Sequence, residues 1–391
     1  MKKILFVVTR PETARAFLKG QLGFLRQSGL WIGLASNPEP GLEAVGNAER
    51  IDTFRVRMRR RPAPVQDLAS LRALLRVVRS VSPDILNAST PKAGFLGMIA
   101  GRLAGVPTRI YLARGLRLET TAGVRRRVLS ATERLSVRCA HRVVCVSPSL
   151  AEAYQRLGLA PAEKLAIVGR GSSNGVDTKN FSPRRSGAVV EELRRRLGLK
   201  ESDRVVGFVG RLTNDKGLGD AVKAFREVIY PKDPNARLVL VGADDIAGAA
   251  AMSGGRGALA RIPGVVDAGL SFDMAPYYGL MDVLLFPSLR EGMPNAVLEA
   301  SASEVPVVGY RVTGVRDAVV DGVSGRLCEK GDWRSLAKEA ATYLADGGLR
   351  RAHGAAGRQY VMRFFEQEKV WSEWLRFYRS FDPSARAEPV A

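Results

Sequence analysis

The chain has 391 residues, 46% of them hydrophobic, which is enough for two packed domains of ordinary size. Three cysteines without metal-ligand spacing fit a reduced cytoplasm, and no apolar run approaches the roughly 18–20 residues of a membrane-spanning helix. The formal net charge is +21, and residues 1–180 hold 30 Lys and Arg against 12 Asp and Glu. This excess of positive charge in residues 1–180 implies an anionic partner, such as nucleic acid or an anionic membrane surface.

The first 180 residues alternate short apolar runs with amphipathic segments, as in a parallel sheet with crossover helices. The first run ends at Thr9, which is too early for a signal peptide and favours a buried strand. The predicted strands lie at 2–8, 31–36, 84–88, 108–113 and 142–146, and the predicted helices at 14–27, 65–81 and 124–138. We predict that residues 1–180 form a Rossmann-like domain without a Gly-x-Gly-x-x-Gly dinucleotide fingerprint.

Polar residues follow two of these strands. Thr90, Lys92 and Gly94 lie in a turn between a strand and a helix start, and Arg114 directly follows the next strand. An arginine cannot act as a base at neutral pH, but it can bind a phosphate or a sugar. These turns are therefore candidates for substrate contacts.

Two basic segments also lie in this half. Arg55–Arg61 contains five arginines in seven positions, and the helix at 124–138 carries arginines around a few aliphatic residues. The loop could be a solvated surface or a contact with a membrane or an acceptor. The helix could pack on the core with a charged outer face, or lie at a membrane interface as an amphipathic helix. The sequence leaves these interpretations open.

The second half repeats the alternation of strands and helices. Turn residues at 169–177 mark a hinge between the two halves. Strands are predicted at 205–209, 237–241, 282–286 and 305–309, and helices at 189–197, 218–229, 295–303 and 333–346. We predict a second Rossmann-like domain at 181–360, an aromatic-rich helix at 361–381 and a disordered tail at 382–391.

One turn of this half has the composition of a phosphate site. The apolar run at 282–286 leads through Gly292 and Met293 into a helix that starts near Pro294 and Asn295. A helix start presents unpaired backbone N–H groups and a partial positive charge, so it can bind a phosphate. Gly292 allows the backbone to come close to such a ligand.

Charged residues accompany this turn and the loop after the strand at 205–209. The loop begins at Gly210 and places Arg211 and Lys216 five positions apart. Glu291 and Glu299 bracket the turn with seven residues between them. A carboxylate repels a phosphate, so we interpret the pair as acceptors for hydroxyl groups on either side of a diphosphate, as in a nucleotide sugar. For either glutamate alone, an ordinary turn or surface residue is the favoured interpretation.

Together, the Glu-x7-Glu element and the Gly-Arg…Lys-Gly loop resemble the retaining glycosyltransferase family 4. The resemblance implies the GT-B fold, in which two Rossmann-like doubly wound α/β domains face a cleft and the C-terminal helix crosses back to the first domain. It implies catalytic roles for Arg211, Lys216 and Glu291. The implied donor-binding residues are Gly210, Leu270, Gly292, Met293, Pro294, Asn295 and Glu299, and the implied acceptor-binding residues are Thr90, Lys92, Gly94 and Arg114.

The chain departs from the family at one of these positions. Many members have a histidine where Arg114 stands, and the only histidines here are His141 and His353. His141 lies between a helix and a strand, where a structural role is favoured. We therefore predict that no histidine base takes part in the reaction.

The predicted activity is the retaining transfer of a sugar, with UDP preferred over GDP, to a lipid-linked or growing saccharide in surface-polysaccharide synthesis. Retention is expected by front-face attack, with the leaving phosphate taking the acceptor proton, as the family resemblance implies. No Asp-x-Asp occurs in the chain, so we expect no metal and no other cofactor. The lipid-linked acceptor and the basic first half predict a cytoplasmic protein on the inner face of the cell membrane.

Two alternative functions stay open. A GT-B-fold sugar-nucleotide epimerase or hydrolase would share the donor motifs, but it would need acid–base carboxylates or histidines that we cannot place in the first domain. A nucleic-acid-binding protein would account for the charge of residues 1–180 but not for the two motifs, and no nucleic-acid module signature is present.

Overall fold

The computed structural model describes residues 1–59, 63–183, 187–243 and 255–381. The chain divides into two compact units, Met1–Gly175 with the chain from Glu368, and Val176–Gln367. The predicted boundary after residue 180 and the predicted return to the first unit at residue 361 each differ from these bounds by a few residues. The tail at 382–391 and the last two residues of Arg55–Arg61 lie outside the described residues.

Unit 1 is built on a seven-stranded parallel sheet in the order β3-β2-β1-β4-β5-β6-β7. Its strands are β1 (Lys3–Val7), β2 (Trp31–Ser36), β3 (Asp52–Arg55), β4 (Ile85–Ser89), β5 (Thr108–Ala113), β6 (Arg142–Cys145) and β7 (Leu165–Ala166). Strands β3 and β7 were not predicted, because β3 (Asp-Thr-Phe-Arg) is mostly polar and β7 is only two residues long. The order of the strands reverses between β1 and β4, which is where ligands bind in open sheets of this kind.

The helices of unit 1 cover both faces of this sheet. They are α1 (Pro11–Phe17), α2 (Gln21–Gln27), α3 (Pro40–Glu49), α4 (Pro64–Val81), α5 (Pro91–Leu103), α6 (Gly123–Cys139) and α7 (Pro148–Arg156). Five of them begin with proline, whose fixed φ suits a first helical position. The single helix predicted at 14–27 is wrong, because the chain turns at Gly20 with φ 78° between α1 and α2.

Unit 2 has a six-stranded parallel sheet in the order β10-β9-β8-β11-β12-β13. Its strands are β8 (Arg204–Val209), β9 (Ala236–Val241), β10 (Val265–Gly269), β11 (Val283–Phe286), β12 (Val307–Tyr310) and β13 (Gly325–Cys328). The order reverses between β8 and β11. These two strands are fully apolar in their centres and lead into the two charged loops found in the sequence.

The helices of unit 2 alternate with these strands. They are α8 (Ala188–Arg196), α9 (Leu218–Ala224), α10 (Tyr230–Lys232), α11 (Gly255–Leu259), α12 (Ala275–Leu280), α13 (Asn295–Ala302), α14 (Val315–Ala318), α15 (Trp333–Ala345) and α16 (Gly347–Phe364). A π-helical turn, Phe225–Ile229, joins α9 to α10. The predicted helix at 218–229 is therefore one continuous helical segment that extends further.

The last helix, α17 (Gln367–Arg379), belongs to unit 1. Its Trp371 indole donates to Asn174 Oδ1 at 2.7 Å, and the hydroxyl of the buried Tyr378 accepts from Asn87 Nδ2 at 2.6 Å. A Cβ on Gly20 would lie 2.5 Å from the Trp371 ring, so this turn needs glycine for the helix to pack. The predicted return of the C-terminal helix to the first domain is confirmed.

No helix within the described residues is long and apolar enough to cross a membrane.

Candidate active site

The two charged loops of unit 2 meet at the point where the strand order reverses. One loop follows β8 and the other follows β11, and these strands are neighbours in a parallel sheet. Parallel strands end at the same edge, so both loops lie at the carboxyl edge of the sheet. Residues that are far apart in sequence are thereby brought into contact.

Lys216 and Glu291 form an ion pair across the two loops. Lys216 Nζ lies 2.5 Å from Glu291 Oε1, and the side chains are only 22% and 12% exposed. A pair so shielded is screened less by solvent than a surface pair. The structure thus joins a cation and a carboxylate that the sequence analysis could only assign separately.

Two arginines meet at Asp215 beside this pair. Asp215 Oδ2 lies 3.1 Å from Arg211 and 3.0 Å from Arg290, and Asp215 Oδ1 accepts from the Thr213 hydroxyl at 2.6 Å. Burial by itself would raise the pKa of Asp215, but the Thr213 hydrogen bond and the charges of Arg211, Arg290 and Lys216 lower it below its ordinary value. Asp215 is therefore a carboxylate at neutral pH and holds both arginines in place.

Arg290 is a site residue that the sequence analysis missed. It directly precedes Glu291, so its charge was visible in the motif, but its partner Asp215 lies 75 positions away. The contact depends on the adjacency of β8 and β11. A search for every basic residue within the two loops would have included Arg290.

Gly217 explains the close fit between these loops. It has φ 75°, and a Cβ at this position would lie 2.0 Å from the Pro287 carbonyl oxygen. The Leu289 N–H donates to the Asp215 carbonyl at 3.0 Å, which fixes the loops together. The glycine after Lys216 is therefore required by both its conformation and the approach of the neighbouring loop.

The helix start predicted as a phosphate site is α13. Asn295 is its first residue, and Pro294 precedes it rather than occupying the first helical position. Pro294, the N-cap residue, makes no side-chain capping hydrogen bond. Gly292, Met293 and Pro294 are buried. The geometry leaves the N-terminus of α13 directed to the edge at which the charged loops lie.

Glu299 lies further along α13 and has its own partner. Its Oε2 accepts from the Tyr278 hydroxyl at 3.0 Å, and Tyr278 is fully buried on α12. Burial raises the pKa of Glu299 to about 7, although the Tyr278 hydrogen bond acts in the opposite direction. Near neutral pH, Glu299 is consequently a mixture of carboxylate and carboxylic acid.

The remaining donor-side residues follow other strands of the same sheet. Gly210 directly follows β8, and Leu270 directly follows β10 with 57% of its surface exposed. Both positions are at the carboxyl edge, because the whole sheet is parallel. Their roles in donor binding remain predictions.

The predicted acceptor residues of unit 1 lie near the reversal between β1 and β4. Thr90 has φ 70°, which is strained for a residue with a Cβ, and its hydroxyl lies 2.6 Å from that of Thr9. Lys92 Nζ pairs with Asp67 at 2.5 Å, and its side chain is 12% exposed. A Cβ on Gly94 would lie 2.3 Å from the Tyr111 ring, so packing of α5 on β5 accounts for this glycine.

Arg114 directly follows β5, and its guanidinium carbon lies 4.8 Å from the centre of the Phe17 ring. The two histidines lie elsewhere. His141 precedes β6 at the opposite edge of the sheet and contacts Arg109, while His353 on α16 bonds the Tyr343 hydroxyl at 2.6 Å. His141 thus lies away from the carboxyl edge, and the absence of a histidine base stays a prediction.

Among the described residues, no group of three His, Cys, Asp or Glu side chains is placed to hold a metal ion.

Comparison with known proteins shows the fold and the family to which the chain belongs. The crystal structure of Anabaena HepE in complex with UDP and glucose superposes with a TM-score of 0.81 at 19% identity, over 97% of this chain and 100% of that one. The fold is therefore GT-B, as predicted. A family model described as "Glycosyl transferase 4-like domain" matches residues 25–171, and one described as "Glycosyl transferases group 1" matches residues 203–346.

Curated relatives agree with the family models. The capsular polysaccharide biosynthesis glycosyltransferase CapM of Staphylococcus aureus is 33% identical over 97% of both chains. The N,N'-diacetylbacillosaminyl-diphospho-undecaprenol alpha-1,3-N-acetylgalactosaminyltransferase of Campylobacter jejuni is 25% identical over 78% of this chain and 79% of its own. The chain belongs to glycosyltransferase family 4.

Proposed function

We propose that this glycosyltransferase moves a sugar, with retention of configuration, from a UDP-sugar to a lipid-linked or growing saccharide of a surface polysaccharide. The observation that carries the donor assignment is the cluster of Arg211, Lys216, Arg290 and Glu291 at the β8/β11 reversal. The relatives named for capsule synthesis and for a diphospho-undecaprenol substrate support the acceptor class.

The cluster suits a leaving diphosphate. Transfer breaks the bond between the sugar carbon and the phosphate oxygen, so negative charge grows on the diphosphate in the transition state. Arg211, Lys216 and Arg290 are already in place to stabilise that charge, together with the N-terminus of α13. Glu291, held by Lys216, accepts hydrogen bonds from the transferred sugar, and Glu299 accepts them from the ribose.

Retention is proposed to follow front-face attack. The acceptor hydroxyl approaches from the side that the diphosphate leaves, and the departing phosphate oxygen takes the acceptor proton. A two-step path would need a carboxylate nucleophile. Glu291 is instead engaged by Lys216 in an ion pair, which suits a role in sugar positioning.

The experiment that tests this function is a donor panel. UDP- and GDP-sugars are incubated with undecaprenyl-diphosphate-linked saccharides, and nucleotide release is measured with and without acceptor. Release that requires acceptor supports transfer, whereas equal release without acceptor would support the epimerase or hydrolase alternative. Filter binding of DNA and RNA at physiological salt tests the nucleic-acid alternative.

We predict that activity persists in excess EDTA, because three side-chain cations supply the positive charge that a metal would otherwise bring to the diphosphate. The measurement is direct chromatographic detection of UDP, so that chelation cannot disable a coupling enzyme. Loss of activity on chelation, restored by Mg²⁺ or Mn²⁺, would overturn the metal-free mechanism.

Unit 1 has a surface that suits an anionic membrane. Val124, Val128 and Leu135 on α6 are 74%, 57% and 40% exposed, and their spacing places them on one helix face. Arginines surround them. Helix α5 packs beside both α4 and α6, and α4 begins with the exposed Val65 and Leu68. We propose that this surface holds the protein on the cytoplasmic leaflet, near its lipid-linked acceptor.

We predict binding to anionic vesicles that weakens as salt rises, because the attraction is mainly electrostatic. Flotation with anionic and neutral vesicles at low and high salt measures it. The double variant Val124→Glu/Val128→Glu should lose binding, while Val189→Glu, at a 65% exposed valine of unit 2, should retain it. Equal binding to both vesicle types, or to neither, contradicts the proposal.

A further inference from the structure

The guanidinium of Arg114 is buried without a polar partner. All three of its nitrogens are shielded from solvent, and none has a hydrogen-bond partner among residues 1–59, 63–183, 187–243 and 255–381. Its guanidinium carbon lies over the face of Phe17, 4.8 Å from the centre of the ring. The attraction between a cation and an aromatic ring replaces little of the hydration that a buried guanidinium loses.

An uncompensated cation in a protein interior is unusual. Buried polar groups are paired in native structures, and an unpaired buried charge costs several kcal/mol. Burial lowers the pKa of Arg114 to about 9, so the side chain still carries its charge at neutral pH. The protein therefore maintains an unfavourable arrangement, and such arrangements are found at functional sites.

A second donor lies beside it. The Tyr378 hydroxyl accepts from Asn87 Nδ2 at 2.6 Å, which leaves its own hydrogen for another partner. Burial raises the pKa of Tyr378, while the Asn87 hydrogen bond and then the charge of Arg114 act in the opposite direction, so the phenol lies within electrostatic range of the guanidinium. Arg114, Tyr378 and Phe17 thus present a forked cation, a hydroxyl donor and an apolar ring, and no described carboxylate reaches them.

We infer that Arg114 and Tyr378 form a receptor for an oxyanion carried by the substrate. A guanidinium fork matches two oxygens of a phosphate or a carboxylate, and the hydroxyl supplies a third hydrogen bond. The oxyanion is either a phosphate of the lipid-linked acceptor or the carboxylate of an acidic sugar. This inference rests on the proposed function, since it assumes that the edge of unit 1 after β5 receives a substrate.

The first test is thermal stability in buffer that contains no oxyanion other than UDP, which is saturating so that it occupies unit 2. Arg114→Met should raise the melting temperature by about 2–4 °C, because it removes an unpaired buried charge. Arg79→Met, at an exposed arginine on α4, is the matched control and should change it little. A lower melting temperature for Arg114→Met would mean that the arginine is already paired in the protein, and would overturn the inference.

The second test titrates two anions under the same conditions. Inorganic phosphate and glucuronate represent the two sources, and glucose is the neutral control. One of the anions should raise the melting temperature of the wild-type protein and of Arg79→Met, but not of Arg114→Met. The responding anion identifies the source. A response that is absent in all three proteins, or equal in all three, overturns the inference.

The third test separates this site from the donor site. Arg114→Met should lower kcat/KM by about tenfold to a hundredfold with an anionic substrate, while Arg114→Lys keeps part of the activity. The Kd of UDP should stay within about twofold of wild type, since the assigned donor contacts are in unit 2. A tenfold loss of UDP affinity would assign Arg114 to the nucleotide instead. If no acceptor supports transfer, the proposed function fails, but the two stability tests still decide the oxyanion site.

Discussion

Replacing Lys216 with Met is expected to lower kcat by about a hundredfold to a thousandfold, the loss typical when one preorganised donor to a developing negative charge is removed. The effect should be this large because Lys216 has two roles. It is a cation of the diphosphate cluster, and it also neutralises and positions Glu291. The measurement is steady-state UDP release at saturating donor.

The ion pair between Lys216 and Glu291 allows a more specific test with a double variant. In Lys216→Met, Glu291 keeps its charge without a partner and repels the diphosphate. Lys216→Met/Glu291→Gln removes that charge, so it should bind UDP more tightly than Lys216→Met, even though both lack the lysine. The loss of UDP binding free energy in the double variant should thus be smaller than the sum of the losses in the two single variants.

The control is Lys223→Met on α9, where the ammonium lies over the Trp333 ring at 4.6 Å. It should keep wild-type kcat and UDP affinity. Thermal unfolding of each variant separates a damaged site from a damaged fold. Wild-type turnover in a folded Lys216→Met protein would remove this residue from the mechanism.

The affinity for UDP is expected to rise with pH and to level off above about pH 7, because Glu299 must be ionised to accept hydrogen bonds from the ribose. Burial raises the pKa of Glu299 to about 7, so below that pH the binding of UDP must also release a proton. Each pH unit below that value should weaken binding by up to about tenfold. Calorimetry at pH 6 and pH 8 measures the change.

Two substitutions test whether Glu299 causes the pH dependence of UDP binding. Glu299→Gln should abolish the pH dependence and weaken UDP binding at pH 8 by about tenfold to a hundredfold. Tyr278→Phe removes the hydrogen bond that lowers the pKa of Glu299, so the midpoint of the pH dependence should move upward. Tighter UDP binding at pH 6 than at pH 8 would mean that the protonated acid is the binding form, and would refute the assigned role.

The same shift predicts the sign of a stability effect. The pKa of Glu299 is about 7 when folded and 4.5 in its ordinary state, so the native protein binds more protons between these values. The free energy of unfolding contributed by Glu299 is therefore greatest at low pH and falls as pH rises through this window. At pH 8 the loss reaches roughly 3 kcal/mol. Glu299→Gln should therefore unfold at a higher temperature than wild type at this pH, despite its weaker binding.

Much of the fold and of the donor motifs could be predicted from the sequence because their signals are local. An apolar run of four to six residues followed by glycine, charge and a helix start is contained within a short stretch, as in the segments after β8 and β11. The composition and the alternation of apolar strands with amphipathic helices predicted two parallel α/β domains. Short edge elements such as β3 and β7 were missed, because their stability comes from the neighbouring strand rather than from their own residues.

The sequence by itself determined which residue types stand at each strand-to-loop junction, and hence the family. Only the tertiary structure decided which of them meet. The pairs Lys216–Glu291 and Asp215–Arg290 exist because β8 lies beside β11, an order that no local pattern encodes. Tertiary packing likewise brings Gly94 into contact with Tyr111 and raises the pKa of Glu299 by burying it. It also buries the guanidinium of Arg114 without a hydrogen-bond partner among the described residues. Burial and charge pairing depend on distances between elements, and those distances are set only when the sheet and its helices have packed.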